Sequence, residues 1–425
     1  MESATNLRKA LYRFAVGVIL LIAGIALSSS FLLFPFLTWV DYWVTQLFLV
    51  FLSPANIPTA KHFGGGALLM LGAYIVYVGA KQTFRDLMIL LDPNYKGKFL
   101  GTFMRRQALS AGPNIVAIGG GTGLSTLLRG LKTKTSRITA IVTVTDDGGS
   151  SGRLVSDKKI LPPGDIRNCL VALADAEKQI SDLFQHRFEG ASGSLSGHST
   201  GNLLIAAMVD ITGDFDSAIQ EISRVLAIRG RVLPATLSQV ILRGQMEDGS
   251  EICGETKIVN SRLRVRRVFL EPSDPEPLPE VFKAIADADI IIIGPGSVYT
   301  SVIPPLLVPG IAEALEKSDA MKVYVCNVMT QPGESDQFTA SDHVHAIEAN
   351  VGKRVFDYVM TNKARPSEYL LNRYAEFGQD FVEPDTDRIR AMGLKSIAAN
   401  LISESDVVRH DPIRIADSII RAAEQ

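Results

Sequence analysis

The sequence has few cysteines and almost no net charge. Its 425 residues include 3 cysteines, Cys169, Cys253 and Cys326, which are too far apart for a C-x-x-C motif. Neither a disulfide framework nor a zinc knuckle is expected, and reduced thiols are typical of the cytosol. Lys plus Arg number 43 and Asp plus Glu 45, giving a formal net charge of -2. This balance argues against a protein that wraps nucleic acid electrostatically, so no nucleic-acid partner is expected.

Charge is also missing from two stretches near the amino terminus. Phe14 to Val40 contains no ionisable side chain and exceeds the roughly 20 residues that cross a bilayer as a helix. Phe63 to Ala80 is close to the lower limit of about 17. We expect residues 1–111 to form a transmembrane hairpin and a basic linker, with an interfacial loop at Asp41 to Ala60. A cleaved signal peptide remains an alternative for the first stretch, and burial in a soluble core for the second.

Basic side chains flank both stretches. They precede the first span and follow the second, at Arg8, Lys9, Arg13, Lys81, Arg85, Lys96, Lys98, Arg105 and Arg106. By the positive-inside rule, the amino terminus and everything after Lys81 lie in the cytoplasm. The sequence therefore predicts a two-span protein of the cell membrane with a large cytoplasmic domain.

The 47% hydrophobic and 21% charged residues exclude a chain that is disordered throughout, and residues 112–425 have the pattern of one large α/β domain. Unbroken apolar runs predict buried strands at Asn114–Ile118, Ile138–Val144, Ile290–Ile293, Val323–Cys326 and Val355–Met360. Helical spacing follows the first run, recurs over Asp216–Ile228, and begins again after Asp411-Pro412. Such runs are typical of a sheet covered on both faces. The predicted fold is a Rossmann-like, doubly wound, mostly parallel sheet preceded by the two-helix hairpin.

Two glycine turns follow predicted strands and carry the first candidate ligand-binding residues. The candidates are Gly119, Gly120, Gly121, Thr122 and Gly123 in one turn, and Gly294, Gly296 and Ser297 in the other. Backbone N–H groups in such turns bind anions. Leu124 replaces the third glycine of the dinucleotide fingerprint, and no P-loop lysine follows. We expect both turns to face one crevice and share a diphosphate, while tight turns without a ligand remain the alternative.

Polar segments at the same predicted edge supply further candidates. These are Asp146, Asp147, Arg153, Asp165, Arg167, Asn168, His198, Asn202 and Asn327. Adjacent carboxylates bind hydroxyls or a divalent cation through water, and arginine clamps phosphate. The alternatives are a solvated turn for Asp146-Asp147 and helix capping for Asp165. Gly197–Gly201 satisfies G-x-S-x-G literally, but no strand precedes it, so we expect no nucleophile elbow.

Taken in order, these segments resemble the YvcK-type gluconeogenesis factor family, which is related to the CofD-type phospholactate transferases. The similarity runs from about Asn114 to Ala423 and includes GGGTGLS, DDGGSSGR, LPPGDIRN, GHSTGN, GPGS and MTQPGE. It implies a domain that binds a nucleotide-sugar such as UDP-N-acetylglucosamine, and a role in cell shape and envelope precursor supply during gluconeogenic growth. It also implies that Gly120–Gly123 contact the diphosphate, that Asp146 and Asp165 face an acceptor or Mg²⁺, and that Arg409 contacts the ligand. Family members usually begin at the first strand, so the hairpin is an addition.

Two functions remain open at this point. One is a regulator that binds a nucleotide-sugar without turnover. The other is a magnesium-dependent transferase in which Asp146 or Asp165 is a metal ligand or base. GTP and NAD remain alternative ligands, and the oligomeric state, including a homo-oligomer, is open.

Overall fold

The computed structural model describes residues 15–22, 25, 35–91, 107–175, 177–188, 195–404 and 407–424. The chain divides into two compact units, Met1–Arg105 and Arg106–Gln425.

The N-terminal unit is helical. Helix α1 spans Pro35–Phe51, a 3-10 turn spans Pro54–Asn56, and helix α2 spans Ile57–Leu91. In the described part of the chain, Pro54–Thr83 is the one continuous helix long and apolar enough to cross a membrane, by length and composition. The predicted loop from Asp41 to Ala60 is wrong over most of its length, because α1 continues to Phe51 and only a short break separates it from α2. The aromatic and amide side chains of this segment are compatible with helix, and the prolines that suggested a loop begin only at Pro54.

Close helix contact in this unit depends on two glycines. Residues 15–22 are helical, and a Cβ added at Gly17 would lie 2.8 Å from Val76 Cγ2. A Cβ at Gly72 would lie 2.8 Å from the Leu21 backbone nitrogen. The two contacts pair 17 with 76 and 21 with 72, so the segments run antiparallel. The predicted first span, Phe14 to Val40, lies partly outside the described residues, and its last residues belong to α1.

The C-terminal unit is built on a seven-stranded parallel sheet. Its strands are β1 (Ile115–Gly119), β2 (Ile138–Val142), β3 (Arg231–Pro234), β7 (Ile290–Ile293), β8 (Met321–Val325), β9 (Tyr358–Asn362) and β10 (Lys395–Ala399). Their order across the sheet is β10-β9-β8-β7-β1-β2-β3, and every neighbouring pair is parallel. The predicted Rossmann-like doubly wound fold is confirmed.

The central strands are buried because both faces of the sheet are covered. All residues of β1, β2 and β7 are buried. Alternate residues of each strand belong to two separate apolar clusters: Ile118 and Ile293 are in one cluster, Ala117 and Ile292 in the other. A strand that is buried on both faces requires an apolar residue at every position.

Helices cover both faces and connect the strands. They are α3 (Gly121–Leu131), α4 (Gly149–Lys158), α5 (Gly164–Leu173), α6 (Glu177–Gln185), α7 (Thr200–Thr212), α8 (Phe215–Val225), α9 (Glu255–Ser261), α10 (Pro279–Ala286), α11 (Ile303–Leu306), α12 (Ile311–Lys317), α13 (Ala340–Val351), α14 (Glu368–Ala375), α15 (Thr386–Ala391) and α16 (Pro412–Ala423). The predicted start of the last helix is confirmed, because the Asp411 carboxylate accepts hydrogen bonds from the backbone of Ile413 and Arg414.

Two small antiparallel sheets complete the unit. One contains β4 (Ile241–Met246), β5 (Glu251–Cys253) and β6 (Val265–Glu271) in the order β5-β4-β6. The other pairs β11 (Ile402–Glu404) with β12 (Val408–His410). Both sheets contribute elements that border the crevice described next.

Candidate functional site

The two glycine turns lie side by side at the carboxyl edge of the sheet. Strand β1 pairs with β2 on one side and with β7 on the other. The chain therefore continues toward one side of the sheet after β1 and toward the opposite side after β7. Ligands bind at such switch points in open α/β sheets. The Gly294 N–H donates to the Ile118 carbonyl at 2.8 Å. A Cβ at Gly123 would overlap the Pro295 carbonyl, so only glycine permits the turns to approach this closely.

A crevice of about 810 Å³ opens between these turns. Eight of the predicted ligand-binding residues line it: Gly121, Thr122, Gly123, Asn168, Gly296, Ser297, Asn327 and Arg409. Gly119, Gly120 and Gly294 form the turn backbones beneath it. Asp146, Asp147, Arg153, Asp165, Arg167, His198 and Asn202 do not line it, and they pack behind it around α4, α5 and α7.

The start of α3 supplies backbone donors to the crevice. Its N-cap residue is Gly120, which has no side chain to cap the helix, so the first-turn N–H groups are available to other acceptors. Gly121 has φ +65°, which favours glycine, and its N–H donates to the Asp165 carboxylate. The following N–H groups, at Thr122 and Gly123, border the crevice and are suited to an anion.

A π-helical turn over Val298–Val302 places Ser301 between the two glycine turns. The Ser301 hydroxyl oxygen lies 3.5 Å from where a Cβ of Gly121 would be, and its Cβ lies 3.2 Å from that of Gly296. Single π turns often mark functional sites. Ser301 was not among the predicted site residues, because only the fold brings its turn against the first one.

Asn327 positions the second turn. Its Oδ1 accepts from the Gly296 N–H at 2.9 Å and its Nδ2 donates to the Gly296 carbonyl at 2.7 Å. Both ends of the amide are therefore used by one residue of the β7 turn. This arrangement fixes the turn that follows β7 to the loop that follows β8.

Carboxyl groups cluster at the α5 side of the crevice. A Cβ at Gly120 would lie 2.6 Å from Asp165 Oδ2. Burial and then the Asp146 charge raise the pKa of Asp165 to about 6, against the opposing hydrogen bond from Gly121. Burial, followed by the charges of Asp146 and Asp165, raises the pKa of Glu255 to about 9. Glu255 is therefore a neutral acid at pH 7, and it lines the crevice.

The predicted magnesium ligands are two members of this cluster. Within the described residues, no group of three or more His, Cys, Asp or Glu side chains is arranged to hold a metal ion. Mg²⁺ is commonly bound by one or two carboxylates together with substrate phosphates. Asp146 raises the pKa of Asp165, so the two carboxylates repel each other and a cation between them would relieve that repulsion. The residues fit a magnesium ion that is shared with a bound phosphate.

Asp147 has a different contact. Its Oδ1 accepts hydrogen bonds from Thr256 N at 2.8 Å and from Thr256 Oγ1 at 2.6 Å. The carboxylate therefore holds the start of α9 and thereby positions Glu255. Asp147 therefore has a structural contact through Oδ1, and its role as a ligand contact stays a prediction.

A buried hydrogen-bond network joins three of the sequence segments. Arg167 Nη1 donates to Ser199 Oγ at 2.6 Å and to Asn202 Oδ1 at 2.9 Å. Because a guanidinium only donates, Asn202 Oδ1 must accept, and its Nδ2 then donates to Ser150 Oγ at 3.1 Å. Arg167 Nη2 also donates to Asn168 Oδ1 at 3.0 Å, which fixes a residue that lines the crevice.

The same network ends at His198. Ser150 Oγ and His198 Nδ1 are hydrogen-bonded at 3.0 Å, with the donor set by the tautomer of the ring. Burial, followed by the Arg153 charge, lowers the pKa of His198 and favours the neutral ring. Ser199 is a buried helix N-cap, and Leu195–Gly197 before it form a turn. Among the described residues the segment enters this helix from a turn, not from a strand, which agrees with the rejection of a nucleophile elbow.

Other lining residues of the crevice come from segments that lie outside the strands of the central sheet. Tyr374 and Gln379 come from α14 and the turn after it, Gln331 follows β8, and Arg409 and His410 belong to β12. Arg409 was a predicted ligand-binding residue, and Gln331 lies in the MTQPGE segment, which the sequence places at this edge of the sheet. Nothing in the local sequence marks Tyr374, Glu255 or Gln379.

Comparison with known proteins supports the resemblance seen in the sequence. A family profile described as 2-phospho-L-lactate transferase CofD matches residues 115–402. A putative gluconeogenesis factor from Nostoc sp. is 44% identical over 412 residues, covering 95% of this chain and 88% of that protein. The gluconeogenesis factor of Bacillus subtilis is 50% identical over 309 residues, covering 72% of this chain and 97% of that protein.

The solved structures agree. A crystal structure of a UPF0052 family member from Bacillus halodurans has a TM-score of 0.70 and 51% identity, covering 72% of this chain and 99% of that chain. A protein of that length corresponds to the C-terminal unit alone. The Nostoc alignment extends into the N-terminal unit, so the expectation that this unit is an addition applies to some relatives and not to all.

Proposed function

The chain belongs to the CofD family, among the proteins named gluconeogenesis factors, and from this premise we propose that its C-terminal unit binds a nucleotide-sugar of the UDP-N-acetylglucosamine type as a regulator without turnover. The observation that carries the proposal is the contact between the two glycine turns at the switch point. Those turns line one crevice with backbone donors on both sides.

The crevice matches such a ligand in size and in chemistry. Its volume of about 810 Å³ lies within the range of roughly 300–1,000 Å³ for small-molecule sites. A diphosphate would contact the first turn of α3 and the Ser297 N–H, where backbone donors meet an anion, since the Gly296 N–H already donates to Asn327. The exposed Arg409 side chain adds a cation that can pair with phosphate. The two ends of the crevice then receive the base and the sugar.

The proposed physiological role follows the names of the relatives. A regulator that senses a nucleotide-sugar is placed to balance envelope precursor supply, and hence cell shape, during growth on gluconeogenic carbon. Growth and morphology of a deletion strain on gluconeogenic and glycolytic carbon sources would test this role. Equal growth and normal shape on both would contradict it.

Ligand-induced thermal stabilisation tests the binding itself. The unit from Arg106 onward should be stabilised by UDP-N-acetylglucosamine, by about 2.7 kcal/mol at 100 times the dissociation constant, and not by GTP or NAD. Arg409→Gln should weaken the effect, whereas Arg421→Gln, an exposed arginine of α16, should not. Equal stabilisation by all three nucleotides would contradict the assignment.

A magnesium-dependent transferase is the second candidate, favoured by the Asp146 and Asp165 carboxylates beside the first glycine turn. Mg²⁺ held by these residues and the donor phosphates would neutralise charge during transfer of a phosphorylated acid to an acceptor hydroxyl. If Asp146 held the ion alone, Asp165, whose pKa is raised to about 6 without metal, would be suited to accept the proton of that hydroxyl. Release of GMP or pyrophosphate that requires an acceptor and is lost in Asp165→Asn would favour this candidate. Ligand binding with no product favours the regulator.

For the N-terminal unit we propose a two-span membrane hairpin with the C-terminal unit in the cytoplasm. The supporting observations are the length and composition of Pro54–Thr83 and the glycine-mediated contact between residues 15–22 and α2, since small residues allow close helix packing in membranes. The protein should remain in the membrane fraction after alkaline extraction and lose its carboxyl terminus to protease only in inverted vesicles. Release by alkali would contradict the proposal.

A further inference from the structure

The second glycine turn, after β7, has few backbone donors left for a ligand. The Gly294 N–H donates to a carbonyl of β1 at 2.8 Å, and Pro295 has no N–H to offer. The Gly296 N–H donates to Asn327 Oδ1 at 2.9 Å. Within the described chain, the Ser297 N–H is therefore the one backbone donor of this Gly-Pro-Gly-Ser turn that no protein group uses. A side chain has to supply any further donor on this side of the crevice.

The Ser301 hydroxyl, in the π turn that follows, is such a donor. The Ser301 N–H donates to the Ser297 carbonyl at 2.8 Å, but the hydroxyl makes no hydrogen bond within the described residues. Ser301 is 7% exposed and lines the crevice, and its hydroxyl oxygen is not fully enclosed, so a ligand can reach it. The neighbouring Thr300 differs, because its hydroxyl donates to Glu334 Oε1 at 3.3 Å.

This hydroxyl lies between the two glycine turns. Ser301 Oγ is 3.5 Å from the position of a Cβ added at Gly121 and 3.8 Å from that of a Cβ added at Gly296. The N–H groups available to an anion flank it, in the first turn of α3 on one side and at Ser297 on the other. A phosphate group that is bound by N–H groups of both turns would therefore lie beside the hydroxyl.

We propose that Ser301 is a ligand-binding residue whose hydroxyl donates a hydrogen bond to a non-bridging phosphate oxygen of the bound nucleotide-sugar. This inference rests on the proposed function and deepens it, because it assigns a side-chain donor to the diphosphate beside a turn whose own N–H groups are mostly used. Hydrogen bonds to charged acceptors are roughly twice as strong as those between neutral groups. The hydroxyl gives up no bond within the protein when it binds the ligand, so little of this gain is offset.

Ser301→Ala tests the contact, because it removes the hydroxyl and keeps the Cβ that packs against Gly296. Ser156→Ala, at an exposed position of α4 that does not line the crevice, is the matched control. We would measure the affinity of UDP-N-acetylglucosamine by calorimetry, and the melting temperature without ligand, using the unit from Arg106 onward. That unit corresponds to a relative that has been crystallised as nearly the whole of its chain.

The expected result for Ser301→Ala is an affinity about tenfold to a hundredfold lower, the loss of one hydrogen bond to a charged group. Its melting temperature should equal that of Ser156→Ala, since the hydroxyl has no partner in the protein. An unchanged affinity, or a lower melting temperature, would overturn the inference and leave the proposed function intact. Absence of binding by the wild-type protein would refute both.

Ligand analogues show whether the acceptor is a phosphate oxygen. With UDP, which lacks the second sugar, the ratio of wild-type to Ser301→Ala affinity should persist. A ratio of one with UDP would place the contact on that sugar and contradict the proposal. In phosphorothioate analogues of UDP, sulfur, a weak acceptor, replaces one non-bridging oxygen at a time. The ratio should fall toward one for the analogue that lacks the contacted oxygen, and a ratio that no analogue changes would overturn the assignment to phosphate.

Discussion

At the scale of single residues, the crevice depends on the absence of side chains. Gly123 belongs to α3, and alanine in a helix is ordinarily more favourable than glycine by about 1 kcal/mol. Here a Cβ would overlap the carbonyl of Pro295. An alanine side chain would force the two turns apart, and we expect this free-energy cost to exceed the gain in helix propensity.

Gly123→Ala should reduce the free energy of unfolding by about 1–3 kcal/mol, as overpacking does, and should abolish nucleotide-sugar binding. Urea denaturation and calorimetry measure the two effects. Ser156→Ala, at an exposed position of α4 that does not line the crevice, is the control and should bind normally. A Gly123→Ala protein as stable as the wild type would show that the turns separate without cost.

Glu255 makes the free energy of unfolding depend on pH, and its raised pKa sets the direction of that dependence. Its pKa is raised from 4.5 in the unfolded chain to about 9 in the folded protein by burial, and then by Asp146, Asp165, Glu334 and Asp147. The contribution to stability is fully present below pH 4.5 and is lost as the pH rises toward 9, because the unfolded chain releases the proton first.

Between pH 7 and 9 the wild-type protein should therefore lose about 2 kcal/mol of stability relative to Glu255→Gln, which keeps a neutral side chain. Denaturation at several pH values measures this difference. The histidines with lowered pKa values affect stability below about pH 6.5, outside this interval. Glu280→Gln, at an exposed position of α10, should parallel the wild type. Parallel curves for Glu255→Gln and the wild type would show that Glu255 is ionised when folded.

At the scale of elements, the buried network holds α4, α5 and α7 together. Removing the Ser150 hydroxyl leaves Asn202 Nδ2 and His198 Nδ1 without their partner. Ser150→Ala should cost about 1–3 kcal/mol, whereas Ser156→Ala, exposed on the same helix, should cost much less. Thermal or urea unfolding of the two variants checks this, and equal stabilities would mean that the network contributes nothing net.

The elements that were predictable are those whose pattern is set by burial on both sides. Ile290–Ile293 was predicted at its observed bounds because a central parallel strand must be apolar throughout. Val355–Met360 was displaced, since Val355 and Phe356 are buried before the strand begins at Tyr358. The edge strand β3 and the hairpin that carries β12 have short, mixed sequences. Their burial comes from distant partners, which a local pattern does not contain.

The residues of the site also fall into those that could be predicted from the sequence and those that only the fold brings together. The glycine turns follow strands and could be placed at the sheet edge from topology alone. Glu255 reaches the crevice at the start of α9, which follows β5, and His410 at the end of β12, so both positions depend on how the small sheets pack in the fold. Asp147 Oδ1 and the Asn327 amide also hold neighbouring elements, through Thr256 and Gly296, contacts that depend on side-chain geometry and that the sequence did not predict.

At the scale of the whole molecule, the two units can be separated by experiment. The relative from Bacillus subtilis is matched over 97% of its length by 72% of this chain, so the C-terminal unit occurs as a protein in its own right. All residues that line the crevice belong to that unit. The unit from Arg106 onward should therefore bind UDP-N-acetylglucosamine with the affinity of the full-length protein in detergent, within about threefold, a difference of less than 1 kcal/mol. Calorimetry on both preparations measures this. A tenfold difference would mean that the N-terminal unit alters the crevice, and ligand binding would then be coupled to whatever the hairpin contacts.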